Sequence, residues 1–474
     1  MVQYDFSKIP IVDLVDDILV YGVKNRASDI HFDPVENGLK IRMRIDGQLA
    51  DHTLVPTLYH KNLATRIKLI AGMNITENRL PQDGAIKGTI KGIDVDMRVS
   101  SLPTNEGEKI VIRILDYSMS LEGIDSLGFS KNNFEKLQKM ISVPNGIILV
   151  TGATGTGKST TTYSILQQLN KESTNIITVE DPIEMNIEGI NQVQVNSEIG
   201  MTFASALRAI LRQDPNIILI GEIRDSETAK IAIRASITGH LVLSTVHTNN
   251  SLTTIERLLD MGVERYLLST SLTGIISQNL ARKLCDKCKI KKETTDYEKM
   301  VFKKVLKRDV NEIYTVNTAG CNECHEGYKG RIAIQEVLLL NDIVREAINT
   351  DLDRDELKRL VYKGDVTTLL QDGLEKVLEG LTNFDEIYRI IDIDDELDDE
   401  SDIYNDKDNF STNTNVNDLI DSNKEEIIEN TTNNNQTIDM PNEDNNAINN
   451  ENSLNIIETP IVTEEIISNE EEVI

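Results

Sequence analysis

The sequence predicts an α/β protein: a doubly wound sheet domain, preceded by a smaller α+β domain and followed by a disordered acidic tail. Three observations carry this. Between about residues 132 and 392, short β-branched apolar runs ("GIILV", "NIITV", "NIILIGEI", "HLVLSTV") alternate with helical stretches, as strands buried on both faces of a parallel sheet require. Ahead of them, residues 1–115 mix two helical stretches with segments that alternate in the strand manner. Behind them, from Ile393, 24 acidic residues stand against 2 lysines, with 18 Asn and no Gly.

In the first domain, Ile11, Leu14, Val15, Ile18 and Leu19 recur at helical spacing and predict a helix from about Ile11 to Asn25. Asp13, Asp16 and Asp17 interrupt the apolar run, which excludes a signal peptide or a membrane span. A second helix is expected over Tyr59 to Gly72. Strands are expected in "GLKIRMRIDGQLAD", "GAIKGTIKGIDVDMRVSSL" and "EKIVIRIL", with Asp46-Gly47 as a hairpin turn. Residues 116–131 have the character of a linker. Nowhere do 18 apolar residues run together, so the chain reads as soluble and cytoplasmic.

The whole-chain charge of −29 is carried mostly by the tail, residues 393–474, whose 24 acidic residues and 2 lysines give −22 and leave −7 for everything before it. A segment so charged and so poor in apolar residues cannot offset the entropy of ordering itself, so it is expected to be disordered.

Chemistry begins at "GATGTGKST", which matches G-x-x-x-x-G-K-[ST] between a strand and a helical stretch. Gly152, Ala153, Thr154, Gly155, Thr156 and Gly157 are expected to wrap backbone N–H groups around a phosphate, at a helix N-terminus that favours negative charge. Lys158 should reach the β- and γ-phosphates of ATP, Ser159 should ligate Mg²⁺, and Thr160 completes the loop. Such a site also needs carboxylates. Glu180 in "TVEDPIE" and Glu222 in "GEIRD" stand at strand ends, which converge on the ligand crevice of an open α/β sheet. A third strand end carries His247, open between a γ-phosphate sensor and a hydrogen-bonded scaffold; His240, at that strand's start, reads as scaffold.

All four cysteines lie in two pairs, Cys285/Cys288 and Cys321/Cys324. Paired Cys-x-x-Cys motifs in a reducing compartment point to a closed, structural tetrathiolate Zn²⁺ in a subdomain over 285–330, with a redox pair as the other reading. His325, beside the second pair, reads as a bystander.

Several motifs then resemble one family. "ILRQDPNIILIGEIRDSETA" is similar to the signature of the type II secretion and type IV pilus assembly ATPases, the GspE/PilB family. "VEDPIE" resembles its Asp box, "TGHLVLSTVHTN" its His box, and "ASDIHFDP", "RLPQDG" and "DMRVSSLPTNEGEKIVIRIL" its first domain, over roughly Ser7 to Ile391. The resemblance implies a RecA-like P-loop NTPase domain over 132–392, with a rotating N2-like domain over 1–115. It implies a homo-hexamer at the cytoplasmic face of the inner membrane, working through a polytopic platform protein and a pilus or pseudopilus assembly complex. It makes Glu180 the water-activating carboxylate and Glu222 a magnesium-shell residue, the two roles being exchangeable. It makes Arg98 and Arg113 arginine fingers; the plainer reading of both is salt bridges within the first domain. Asp29 and His31 are expected to form an internal hydrogen-bonding pair. The four-cysteine subdomain resembles that of assembly and secretion motors rather than retraction motors. Many members carry a further N-terminal domain; "ASDIHFDP" begins too early here for it, so that domain, and cyclic-dinucleotide control through it, are expected to be absent.

The expected function is therefore an ATP-driven motor of type IV pilus assembly, with type II secretion or competence-type DNA uptake as alternatives. A nucleic-acid translocase is disfavoured by a mildly acidic body without a basic stripe interleaved with aromatics, so no direct nucleic-acid binding is expected. A scaffold that binds ATP without turnover is disfavoured by Lys158, Ser159, Glu180 and Glu222 together.

Overall fold

A computed structural model describes residues 4–115, 123–394 and 397. Part of the expected linker (116–122) and nearly all of the expected disordered tail lie outside the described residues.

The first unit of structure is an antiparallel sheet covered by two helices. Helix α1 (Ile11–Lys24) precedes β1 (Ala27–Val35), β2 (Gly38–Ile45) and β3 (Gln48–Val55); α2 (Thr57–Ile70) then leads to β4 (Gln82–Ile90), β5 (Ile93–Thr104) and β6 (Gly107–Ile114). Their order is β3-β2-β1-β6-β5-β4. Asp46 and Gly47 both take positive φ (48° and 87°), as a two-residue hairpin turn matched to strand twist demands. The apolar stripe of α1, Leu14, Val15, Ile18 and Leu19, packs with Leu63 and Ile67 of α2 over Ile30, Phe32 and Ile41 of the sheet.

A short 3-10 turn (Ile124–Leu127) and helix α3 (Lys131–Ile141) lead into the second sheet, where Ile124 and Leu137 are already packed into its core. There follow β7 (Gly146–Thr151), α4 (Lys158–Leu169), β8 (Ile176–Glu180), β9 (Asn191–Gln194), α5 (Phe203–Ile210), β10 (Ile217–Ile220), α6 (Ser226–Ile237) and β11 (Leu241–Val246). Helices α7 (Ser251–Asp260) and α8 (Arg265–Ser271) precede the long strand β12 (Leu272–Leu284). A small ribbon, β13 (Ile290–Glu293) and β14 (Glu312–Thr315), encloses α9 (Asp296–Leu306); then come β15 (Tyr328–Leu339), α10 (Asp342–Asn349), α11 (Arg354–Tyr362), α12 (Leu369–Leu378) and α13 (Phe384–Ile390).

The seven-stranded sheet has the order β15-β12-β7-β11-β10-β8-β9, parallel except for β15. Both faces are covered, which is why its strands read as unbroken apolar runs: Ile147 and Leu149 enter one core, Ile148 and Val150 the other. From β7 the chain crosses to β8 on one side; from β11 it crosses back past β7 to β12 on the other. The C-terminal ends of β7 and β11 thus flank a topological switch point, where ligands bind in open α/β sheets. A further core joins α9, α12 and α13 to β12 and β15 and takes in Ile393 and Leu397, so the first residues of the acidic segment are packed against α9. Among the described residues no helix is long and apolar enough to cross a membrane.

Candidate functional site

Strand β7 delivers the glycine loop to the switch point. Gly152 has φ 144°, and a Cβ there would lie 2.4 Å from the carbonyl oxygen of Gln278. Gly157, which caps α4 with φ 87°, faces the Gln278 side chain. Gly152 admits glycine alone on both conformation and space, and Gly157 on conformation. At Gly155 a built Cβ meets no heavy atom within 4 Å, so the loop arches over open room in front of the α4 N-terminus, whose unpaired N–H groups and dipole suit an anion. Ala153, Thr154, Gly155 and Ser159 are exposed to it, and Thr160 is half-buried. Lys158 is buried, its Nζ donating to the carbonyls of Gly152 (2.8 Å) and Ala153 (2.9 Å). Burial lowers its pKa, while the Glu222 carboxylate across the crevice pulls the other way.

Glu222 follows β10. Its Oε1 accepts from the Arg224 guanidinium at 2.6 Å, and its Oε2 stands 3.2 Å from His247 Nε2 yet is buried without a hydrogen-bond partner. A buried carboxylate oxygen without a hydrogen-bond partner, near enough for its charge to act on Lys158, fits a Mg²⁺ or a metal-bound water, and with the exposed Ser159 hydroxyl it offers the oxygen donors that ion takes. Asp225 caps α6 through the Thr228 N–H at 2.8 Å. His240 is tied to the Ala235 carbonyl by its ring nitrogen (2.9 Å).

Glu180, at the end of β8, is 4% exposed and engaged at both oxygens. One accepts from the Tyr163 hydroxyl, the other from Thr178 Oγ1 (2.5 Å) and Gln192 Nε2 (3.1 Å).

Arg98 and Arg113 are direct cross-strand partners on β5 and β6, a pairing that like charges disfavour unless each is compensated. Arg113 pairs with Asp29 (3.1 Å) inside the first sheet. Arg98 reaches the second: it donates to the Ile183 carbonyl (2.8 Å) and pairs with Glu184 (3.2 Å), in the loop that follows Glu180. Asp29 bonds Ser28 and Arg113 instead of His31, whose Nε2 is buried without a hydrogen-bond partner: β1 and β6 register Asp29 opposite Arg113, and the guanidinium is the stronger partner.

Cys285 directly follows β12, and the other three cysteines lie on the two turns flanking the ribbon. The four Sγ atoms all lie within 4.8 Å of one another, with Cys285–Cys321 at 3.7 Å, Cys288–Cys324 at 3.6 Å and Cys321–Cys324 at 3.6 Å. A tetrahedron of thiolates about 2.3 Å from zinc has edges of about 3.8 Å, so the cluster fits Zn²⁺. The cysteines are free thiols, and His325 is not part of the cluster.

Two site residues escape the sequence reading. Gln278, buried on β12, donates to the Thr156 carbonyl (2.6 Å) and accepts from Thr161 Oγ1 (2.8 Å), clamping the glycine loop; an amide inside the apolar strand "GIISQNL" was the available signal. Tyr163 looks, in sequence, like one more residue on the inner face of α4.

A buried lysine and a carboxylate with one oxygen left without a hydrogen bond, at a switch-point crevice beneath a glycine loop shaped for phosphate, define a P-loop ATPase. The chain belongs to the type II/IV secretion system protein family, whose profile matches residues 5–389. It is 47% identical over 384 residues to type II secretion system protein E of Pectobacterium carotovorum subsp. carotovorum, covering 80% of this chain and 76% of that one. It is 45% identical over 362 residues to the type IV pilus assembly ATPase PilB of Thermus thermophilus, covering 76% of this chain and 41% of PilB. Among solved structures, the pilus retraction motor PilT with bound ADP matches with a TM-score of 0.55 and 28% identity over 79% of this chain and 96% of that one. The Legionella pneumophila ATPase DotB shares the fold, at a TM-score of 0.59 and 20% identity over 80% of this chain and 95% of its own.

Proposed function

We propose that the chain forms a hexameric motor at the cytoplasmic face of the inner membrane, where ATP hydrolysis rotates the first domain against the second and drives type IV pilus assembly through a polytopic platform protein. The observation that carries the motor reading is the Arg98 contact with Ile183 and Glu184: any change at the nucleotide that moves the loop after Glu180 is felt by the first domain. In this reading Lys158 binds the β- and γ-phosphates and Ser159 and Glu222 hold Mg²⁺, which neutralises phosphate charge when bound. Glu180 orients and deprotonates the attacking water, and His247 senses the γ-phosphate. Arg98 and Arg113 stabilise transition-state charge once the domains close. The cysteine cluster holds Zn²⁺ and supports assembly over retraction. We further propose the domain limits 1–115, 132–392 with the metal subdomain at 285–330, and a tail from 393.

A second reading is the same motor in type II secretion, favoured by the 47% identity to a type II secretion protein E. Chromosomal Lys158→Ala separates them: loss of surface pili with secretion intact supports the first, and loss of exported enzymes with pili intact supports the second.

A further inference from the structure

We infer that Tyr163 is a positioning residue that ties the Glu180 carboxylate to the first domain; this rests on Glu180 being the water-activating group. Tyr163 lies on α4, the helix that begins with Lys158, and is 3% exposed. A buried phenol must place its hydroxyl, and this one serves the last residue of β8 and one residue of the loop after it. It donates to one oxygen of Glu180 and accepts from the backbone N–H of Glu184 at 3.2 Å. The other Glu180 oxygen is held by Thr178 and Gln192, so the phenol fixes the remaining freedom of the carboxylate.

Glu184 is the pivot. Its N–H faces Tyr163, while its carboxylate takes Arg98 of β5 at 3.2 Å and the neighbouring Ile183 carbonyl takes the same guanidinium at 2.8 Å. A continuous line of bonds therefore runs from α4, through one hydroxyl, to the end of β8 and to Glu184 in the loop that follows it, and on to the first sheet. Burial and then the Glu180 charge push the Tyr163 phenol far up, which keeps it a donor throughout the working pH range. A shift of Arg98 would pull Glu184 off the phenol and loosen the carboxylate that the phenol holds. Coupling of this kind is established by energetic non-additivity, not by proximity.

The test uses the full chain with Mg-ATP: steady-state kinetics, ADP affinity and Tm for Tyr163→Phe, Arg98→Ala and the double variant. Tyr163→Phe should lower kcat by roughly 10²-fold, the scale of a misplaced reacting group, with KM and ADP affinity unchanged, and the double variant should lose less than the product of the single losses. Glu184→Gln, on a part-exposed side chain that leaves the phenol in place, should lower kcat, by less than Arg98→Ala, which in the proposed function also removes a group acting on the γ-phosphate. Wild-type kcat in Tyr163→Phe, an equal loss of ADP affinity, or strictly multiplicative losses would overturn the inference, as would wild-type kcat in Glu184→Gln. Glu180→Gln separates the two levels: if it turns over normally the reading of Glu180 fails, whereas if it is dead and Tyr163→Phe is fully active only the role of Tyr163 fails.

Discussion

His247 Nε2 stands 3.2 Å from Glu222 Oε2, joining the end of β11 to the carboxylate that follows β10. The imidazole is half exposed, so it has room to donate a hydrogen bond to a terminal phosphate. His247→Ala is expected to lower turnover by about 10²-fold, the loss typical of one donor at developing charge, with ADP affinity intact. Unchanged turnover would return His247 to a scaffold role.

Arg98 and Arg113 sit side by side, one compensated across the domain boundary by Glu184, the other by Asp29 within its own sheet. If both act on the γ-phosphate, alanine at either should reduce turnover by as much as about 10³-fold while ADP binding stays as in the wild type. Measured ADP dissociation constants that rise in step with lost turnover would contradict finger roles.

The four Sγ atoms are already at the spacing of a tetrathiolate site, so purified protein should carry one zinc per chain. Structural zinc contributes roughly 10 kcal/mol in small metal-dependent modules. Cys321→Ser should therefore loosen the ribbon and α9 without altering nucleotide affinity. Elemental analysis that finds no zinc in protein prepared without chelator would refute the site.

Glu386, on α13, accepts from Arg282 and Arg389. Burial pushes its carboxyl up, but the two guanidinium bonds outweigh it and hold it down to about 2, below the ordinary 4.5. A folded-state value below the unfolded one means that the stabilisation is fully present above about pH 4.5 and is lost as pH falls toward 2. The Tm difference between wild type and Glu386→Gln should accordingly be large at neutral pH and shrink over that window; a gap that does not depend on pH would contradict the ion-pair account.

What the sequence made legible was local. The glycine loop, the strand ends bearing Glu180 and Glu222, the Asp46-Gly47 turn and the paired cysteines are each encoded within a few adjacent residues whose types admit few conformations. What stayed hidden depends on which distant segments meet. That Arg113 meets Asp29 follows from the register of β1 against β6; that Arg98 meets Glu184 follows from how two sheets pack. That Gln278 clamps the glycine loop follows from β12 lying beside β7. The acidic composition that begins at Ile393 hid two apolar side chains, Ile393 and Leu397, that complete the core beside α9.

In the proposed mechanism Lys158 and Glu222 line one crevice that binds and hydrolyses Mg-ATP. The most direct measurement is phosphate release under single-turnover conditions by Glu222→Gln, alongside its ATP affinity. Removing only the charge at the metal side should leave ATP bound as tightly as in the wild type and abolish phosphate release. A Glu222→Gln protein that releases phosphate at the wild-type rate would contradict the assignment of this crevice as the hydrolytic site.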